Sequence, residues 1–106
     1  MNPEFEKIFE DLGWNVTVYE DDVELRKTSP AGENFSISIS SDSLPDSVRG
    51  AAENFDIDDH VYMMLDAKRS GLSGVPDVRT LVDDAEAIQE MLDELADALE
   101  RADSNP

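Results

Sequence analysis

Apolar residues recur with a period of two in three short runs between Trp14 and Ser40, and with a helical period on either side of them. This change of period constrains the fold more than any other feature, because a strand buries every second side chain and a helix every third or fourth. Trp14, Val16 and Val18 alternate with Asn15, Thr17 and Tyr19. Val23 and Leu25 alternate with Glu24 and Arg26, and Phe35, Ile37 and Ile39 with Ser36, Ser38 and Ser40. Asp21-Asp22 separates the first two runs and Ser29-Pro30-Ala31-Gly32-Glu33 the last two, both turn-forming compositions. Connections this short predict an antiparallel meander. Its apolar face needs a cover, which the helical segments are expected to supply.

Asn2-Pro3 reads as an N-cap with proline at the first helical position, and Phe5, Ile8, Phe9 and Leu12 share one face before Gly13. After Ser41-Asp42-Ser43, Pro45-Asp46 opens a short helix carrying Val48, Ala51 and Ala52. Gly50 weakens it by about 1 kcal/mol relative to alanine. A longer helix is expected after Asp56, with Ile57, Val61, Met64 and Leu65 on one face. Asp58 and Asp59 suit its first turn, Lys68 and Arg69 its last, and Gly71 its end. Gly71-Leu72-Ser73-Gly74-Val75-Pro76 reads as a loop. From Val78 onward Leu81, Val82, Ala85, Ile88, Met91, Leu92, Leu95 and Leu99 continue at steps of three and four. Asp83-Asp84-Ala85-Glu86 resembles a capping box, which predicts a break into two helices there. The expected whole is one α+β domain over residues 1–106. It has an N-terminal helix at 3–12, a three-stranded antiparallel meander at 14–40, three or four helices at 45–102 packed on one sheet face, and a frayed tail at 103–106.

Composition narrows the chemistry. With no cysteine among 106 residues, the chain has no disulfide, thiolate metal site or cysteine nucleophile. The N-terminus carries neither a basic region nor an apolar stretch, so no signal peptide is expected, and no apolar run spans a membrane. A cytoplasmic location is the matching expectation. His60 is the only histidine, in Asp58-Asp59-His60, with no nucleophile-elbow glycines nearby, so an ordinary partly exposed helix residue is expected rather than a catalytic base. Asp56, Asp58 and Asp59 lack the glycine and glutamate of an EF-hand loop and suit a helix start better than a metal site. Gly71 and Gly74 lack the lysine of a phosphate-binding loop. No catalytic, metal-ligating or cofactor-binding residue is therefore expected, and no cofactor.

Charge is the outlier: 26 acidic residues against 8 basic ones, a formal net charge of −18. Such a surface repels nucleic acid and anionic membranes and attracts basic surfaces; solubility or adaptation to high salt is the alternative reading of the same charge. Asp83, Asp84, Glu86, Glu90, Asp93, Glu94, Asp97 and Glu100 lie in a segment without Lys or Arg. On a helix that is about one charge per 3.5 Å, close to the roughly 3.4 Å along one DNA strand. Glu86, Glu90, Asp93, Asp97 and Glu100 follow helical steps and are expected to form one stripe. Glu20, Asp21, Asp22 and Glu24 form a second acidic group at the first strand turn, and Asp56, Asp58 and Asp59 a third.

Ser29-Pro30-Ala31-Gly32-Glu33-Asn34-Phe35, Phe55-Asp56-Ile57-Asp58-Asp59-His60-Val61, Gly71-Leu72-Ser73-Gly74-Val75-Pro76 and Leu92-Asp93-Glu94-Leu95-Ala96 resemble short acidic reading frames carried by mobile elements of gut-type anaerobic bacteria. In size and charge the chain is similar to anti-CRISPR and anti-restriction DNA mimics. That resemblance implies a non-enzymatic inhibitor that occupies the basic nucleic-acid groove of a bacterial defence nuclease. Glu86, Glu90, Asp93, Glu94, Asp97 and Glu100, with Glu20, Asp21 and Asp22, would be its partner-binding residues, contacting a basic protein surface and not nucleic acid itself. The alternative is an acidic accessory module without mimicry, monomeric or homodimeric; Met63, Met64, Met91 and Leu95 could then form part of a helix–helix interface, although core packing is the role expected of them first. A small hydrolase would have to depend on His60.

Overall fold

The computed structural model describes residues 3–71 and 78–104. In chain order they form helix α1 (Pro3–Asp11), strands β1 (Asn15–Val18), β2 (Asp22–Thr28) and β3 (Asn34–Ser40), and helices α2 (Leu44–Asn54), α3 (Ile57–Gly71) and α4 (Val78–Ser104). The architecture is α+β, with an antiparallel sheet in the order β1-β2-β3. The register sets Val16 opposite Leu25 and Val18 opposite Val23, and Leu25 opposite Ile37.

Local chemistry explains the ends. Gly13 adopts φ 85°. From there the Gly13 amide donates to Glu10 O (3.1 Å) and the Trp14 amide to Phe9 O (2.7 Å). This is the paired closure of a Schellman motif, which a left-handed glycine permits. Lys27 Nζ also donates to Leu12 O at 2.7 Å. The Tyr19 amide donates to Asp22 O (2.8 Å), so Glu20 and Asp21 form a two-residue hairpin loop. Between β2 and β3 the chain turns with Gly32 at φ 91°, and the Gly32 amide donates to Ser29 O (2.9 Å). The Asp56 carboxylate accepts from the Asp59 amide (3.1 Å), so it caps α3, the role expected for this acidic group.

Apolar residues gather in two clusters. The larger joins Trp14, Val23, Leu25 and Phe35 to Phe5 and Phe9 of α1, Leu44, Val48 and Ala52 of α2, and Ile88, Leu92, Leu95 and Leu99 of α4. The smaller joins Val61 of α3 to Leu81 and Ala85 of α4, flanked by Ile57, Met64, Leu65 and Val82. The apolar face of α3 thus meets the first turns of α4 rather than the larger cluster.

Three expectations change. α4 does not break at Asp83–Glu86 but runs unbroken for 27 residues, about 40 Å at 1.5 Å per residue. Asp83, the expected cap, therefore opens no helix, and its neighbour Asp84 is 6% exposed and accepts from Ser29 Oγ (2.7 Å) and the Ala31 amide (2.9 Å). A carboxylate satisfied across the fold has no need to end its own helix. The helix also continues through Ser104, because Leu99 and Ala102 still pack on the core, so the expected fraying does not begin at 103. The expected loop beyond Gly71, Leu72 to Pro76, lies outside the described residues.

Candidate acidic interface

α4 buries Leu81, Ala85, Ile88, Leu92, Leu95, Ala96 and Leu99. Helical geometry then turns Asp83, Glu86, Glu90, Glu94 and Asp97 to solvent in steps of three and four. This outermost line differs from the expected stripe. Glu94 belongs to it, whereas Asp93 and Glu100 sit on the flank that faces α2. From Asp83 to Asp97 the line covers about 21 Å, roughly one charge per 5 Å, sparser than the roughly 3.4 Å along a DNA strand.

Arg49 of α2 accounts for the flank. Its guanidinium donates through Nε (3.0 Å) and Nη2 (2.7 Å) to Glu100, and through Nη2 to Asp97. Its Nη1 stands 3.9 Å from Asp93. This fork geometry suits two carboxylates at once. The Arg49 hydrogen bond, more than its Coulombic attraction, holds the Glu100 carboxyl below the usual carboxylate range, against opposing effects of desolvation and Asp97. The hydrogen bonds it donates to Glu100 and then to Asp97 raise Arg49 further into its charged range. One cation shared by three carboxylates partly neutralises the C-terminal part of the expected surface. Among the described residues no cation bridges Glu86, Glu90 or Glu94.

An acidic patch with no cation in its lining lies towards the other end of α4. Glu53 ends α2, Asp56 and Asp58 open α3, and these three converge with Glu86 around a shallow cleft of about 640 Å³. Phe55, Ile57 and Val82 also line it, and no Lys or Arg does. The fold therefore joins the third acidic group of the sequence to the helix stripe. The strand-turn group is placed elsewhere. Glu20, Asp21 and Asp22 are exposed, and Glu20 lines a cleft of about 460 Å³ with Asp42, Asp46 and Asp103 at the C-terminal end of α4.

His60 is a partly exposed helix residue, as expected. Its Nε2 lies 3.0 Å from Glu33 Oε2, and its ring packs 5.3 Å from Phe55 and 6.1 Å from Phe35 between centroids. It ties the start of α3 to the β2–β3 turn. Of the methionines proposed for a helix interface, Met91 and Met64 pack within the two clusters, as does Leu95. Met63 stays 62% exposed, beside exposed Tyr62.

Among the described residues no group of three or more His, Asp or Glu side chains is placed to hold a metal ion. No described helix is long and apolar enough to cross a membrane. Comparison with protein-family models, curated proteins and solved structures gives no match to this chain.

Sequence reasoning missed Arg49 and the role of Asp84. Asp84 carried a signal: it lies three residues after Leu81 and four before Ile88, in the apolar register of α4. Arg49 carried none, because its partners are 44 to 51 residues away.

Proposed function

We propose that this protein is a non-enzymatic, cytoplasmic inhibitor that binds a basic, nucleic-acid-accepting groove of a bacterial defence nuclease, of the RNA-guided or restriction type. The observation that carries this reading is the convergence of Glu53, Asp56, Asp58 and Glu86 on one cation-free cleft, continued along α4 by Glu90 and Glu94. A groove built for phosphates presents Arg and Lys. Carboxylates fixed on helices accept charge-assisted hydrogen bonds from the same side chains. The apolar floor at Phe55 and Val82 adds a surface on which an arginine stem or guanidinium can lie. The wider charge spacing favours matching the partner's cations over copying a phosphate backbone.

The test is reversal of Glu53, Asp58, Glu86 and Glu90 to lysine, leaving the helix cap Asp56 intact. Inhibition of, or binding to, a nuclease retained from host lysate at low salt is expected to vanish. Wild-type binding is expected to weaken steeply as salt rises. Unchanged inhibition by the reversed protein rejects the cleft as the contact surface. Exposed Tyr62 and Met63 favour a second reading, an accessory module docking through α3; its binding would withstand salt and fail in Met63→Lys.

A further inference from the structure

The outer strand β3 pairs with β2 alone, and the hydrogen bonds at its two ends determine which backbone groups face away from the sheet. The Ser29 amide donates to Glu33 O (2.8 Å), and the Ser41 amide to Asp21 O (3.0 Å). Bonded and non-bonded pairs alternate along an antiparallel ladder. Phe35, Ile37 and Ile39 therefore bond to β2, while Asn34, Ser36, Ser38 and Ser40 turn their N–H and C=O outward. Among the described residues nothing bonds to those outward groups. The side chains of the same four residues are exposed. On the opposite face Ile37 and Ile39 pack against the core but remain only partly covered. β3 carries no charge, proline or glycine, the features that usually guard an open edge.

We propose that β3 is a self-association edge, where two copies of this chain pair antiparallel about Ile37 and join their sheets into one of six strands. In that register Asn34 of one copy faces Ser40 of the other, and Ser36 faces Ser38, so every outward amide and carbonyl finds a partner. Ile37 meets Ile37 and Phe35 meets Ile39, covering the partly exposed apolar side chains as cross-strand pairs do. A slip of one residue would set outward residues against inward ones. A slip of two would leave a residue unpaired in each copy.

Charge selects the edge, and the self-complementary register about Ile37 the occupant. On β1 the Tyr19–Asp22 bond leaves Val16 and Val18 as the outward residues. That edge borders a groove lined by Glu6 and Glu10, and a second copy there would bring carboxylates against carboxylates. Along β3 only Asn and Ser side chains meet, a neutral strip on a chain of net charge −18. Repulsion between the two chains is long-range and screened, so this association strengthens with salt, the opposite sign to binding of a basic groove. The edge excludes Glu53, Asp58, Glu86 and Glu90, so the inhibitor reading and this one stand or fall separately.

Sedimentation equilibrium of the full chain provides the first test. Twice the 11.8 kDa chain mass is expected to dominate at about 1 M salt, where the screening length is about 3 Å, and less so at about 0.1 M, where it is about 10 Å. Amide exchange provides the second: protection of Asn34, Ser36, Ser38 and Ser40 is expected to rise with protein concentration, while Phe35, Ile37 and Ile39 stay protected throughout. Ser38→Pro removes one outward donor and leaves the ladder to β2 intact, so it is expected to abolish the doubled mass. A single-chain mass at every salt and concentration overturns the proposal. So does a doubled mass that survives in folded Ser38→Pro. If that variant does not fold, concentration-independent exchange of the four amides in the unaltered chain overturns it alone.

Discussion

The two ends of α4 are held in different ways. Over its last four turns the helix supplies Ile88, Leu92, Leu95, Ala96 and Leu99 to the larger cluster, where four other elements meet it. Over its first turns it supplies Leu81 and Ala85 to a cluster whose other buried side chain, among the described residues, is Val61. There a buried carboxylate, Asp84, adds a polar bridge to the β2–β3 turn. A few hydrogen bonds and a small apolar contact hold one end, and a continuous core holds the other. Resistance to local opening should differ accordingly.

The largest effect belongs to the larger cluster. Leu95 is fully buried, so Leu95→Ala is expected to destabilise the protein by about 3 kcal/mol. Urea denaturation should show it as a lower midpoint of one transition seen by every probe. Asp84→Ala comes next. It leaves Ser29 Oγ and the Ala31 amide without their acceptor, at a cost of about 2 kcal/mol. Asp84→Asn restores one acceptor oxygen and should recover part of the loss. A cost below about 0.5 kcal/mol, the size of an ordinary surface substitution, would remove the bridge from the account.

Val61→Ala sharpens the comparison further. It is expected to cost about 1.5 kcal/mol and to reduce amide protection in α3 while leaving β2 and β3 unchanged. Protection falling equally in the sheet would show that the two clusters unfold as one unit.

Local pattern made much of this fold legible. The alternation in Phe35-Ser36-Ile37-Ser38-Ile39, the left-handed Gly13 and Gly32, and the steps of three and four in α4 each depend on a few neighbouring residues. The expected break at Asp83 failed because Asp83-Asp84 suits either a helix start capped by Asp83 or an unbroken helix with Asp84 on its buried face, and only the position of Ser29 decides between them. The acidic stripe was legible as composition but not as a line. Whether Asp93 or Glu94 faces outward depends on where α2 packs, and the carboxylates that Arg49 engages depend on the same packing. The cleft of Glu53, Asp56, Asp58 and Glu86 was hidden for that reason too, since it joins three elements.

Arg49 offers the smallest effect and the finest distinction. Its bridge is exposed to solvent, so salt screens it and its contribution is small. It holds the Glu100 carboxyl below the ordinary carboxylate value, about 4.3. A carboxylate depressed on folding contributes stability above its unfolded pKa and loses it as pH falls through the lower folded value. The stability difference between the wild type and Arg49→Leu should therefore be constant near neutrality, shrink as pH falls below about 4.3, and shrink also at high salt. Denaturation midpoints across that range would show it. A difference that persists in acid would mean that Arg49 joins α2 to α4 through the packing of its stem. In that case the nearby carboxylates of α4 would be available to a basic partner after all.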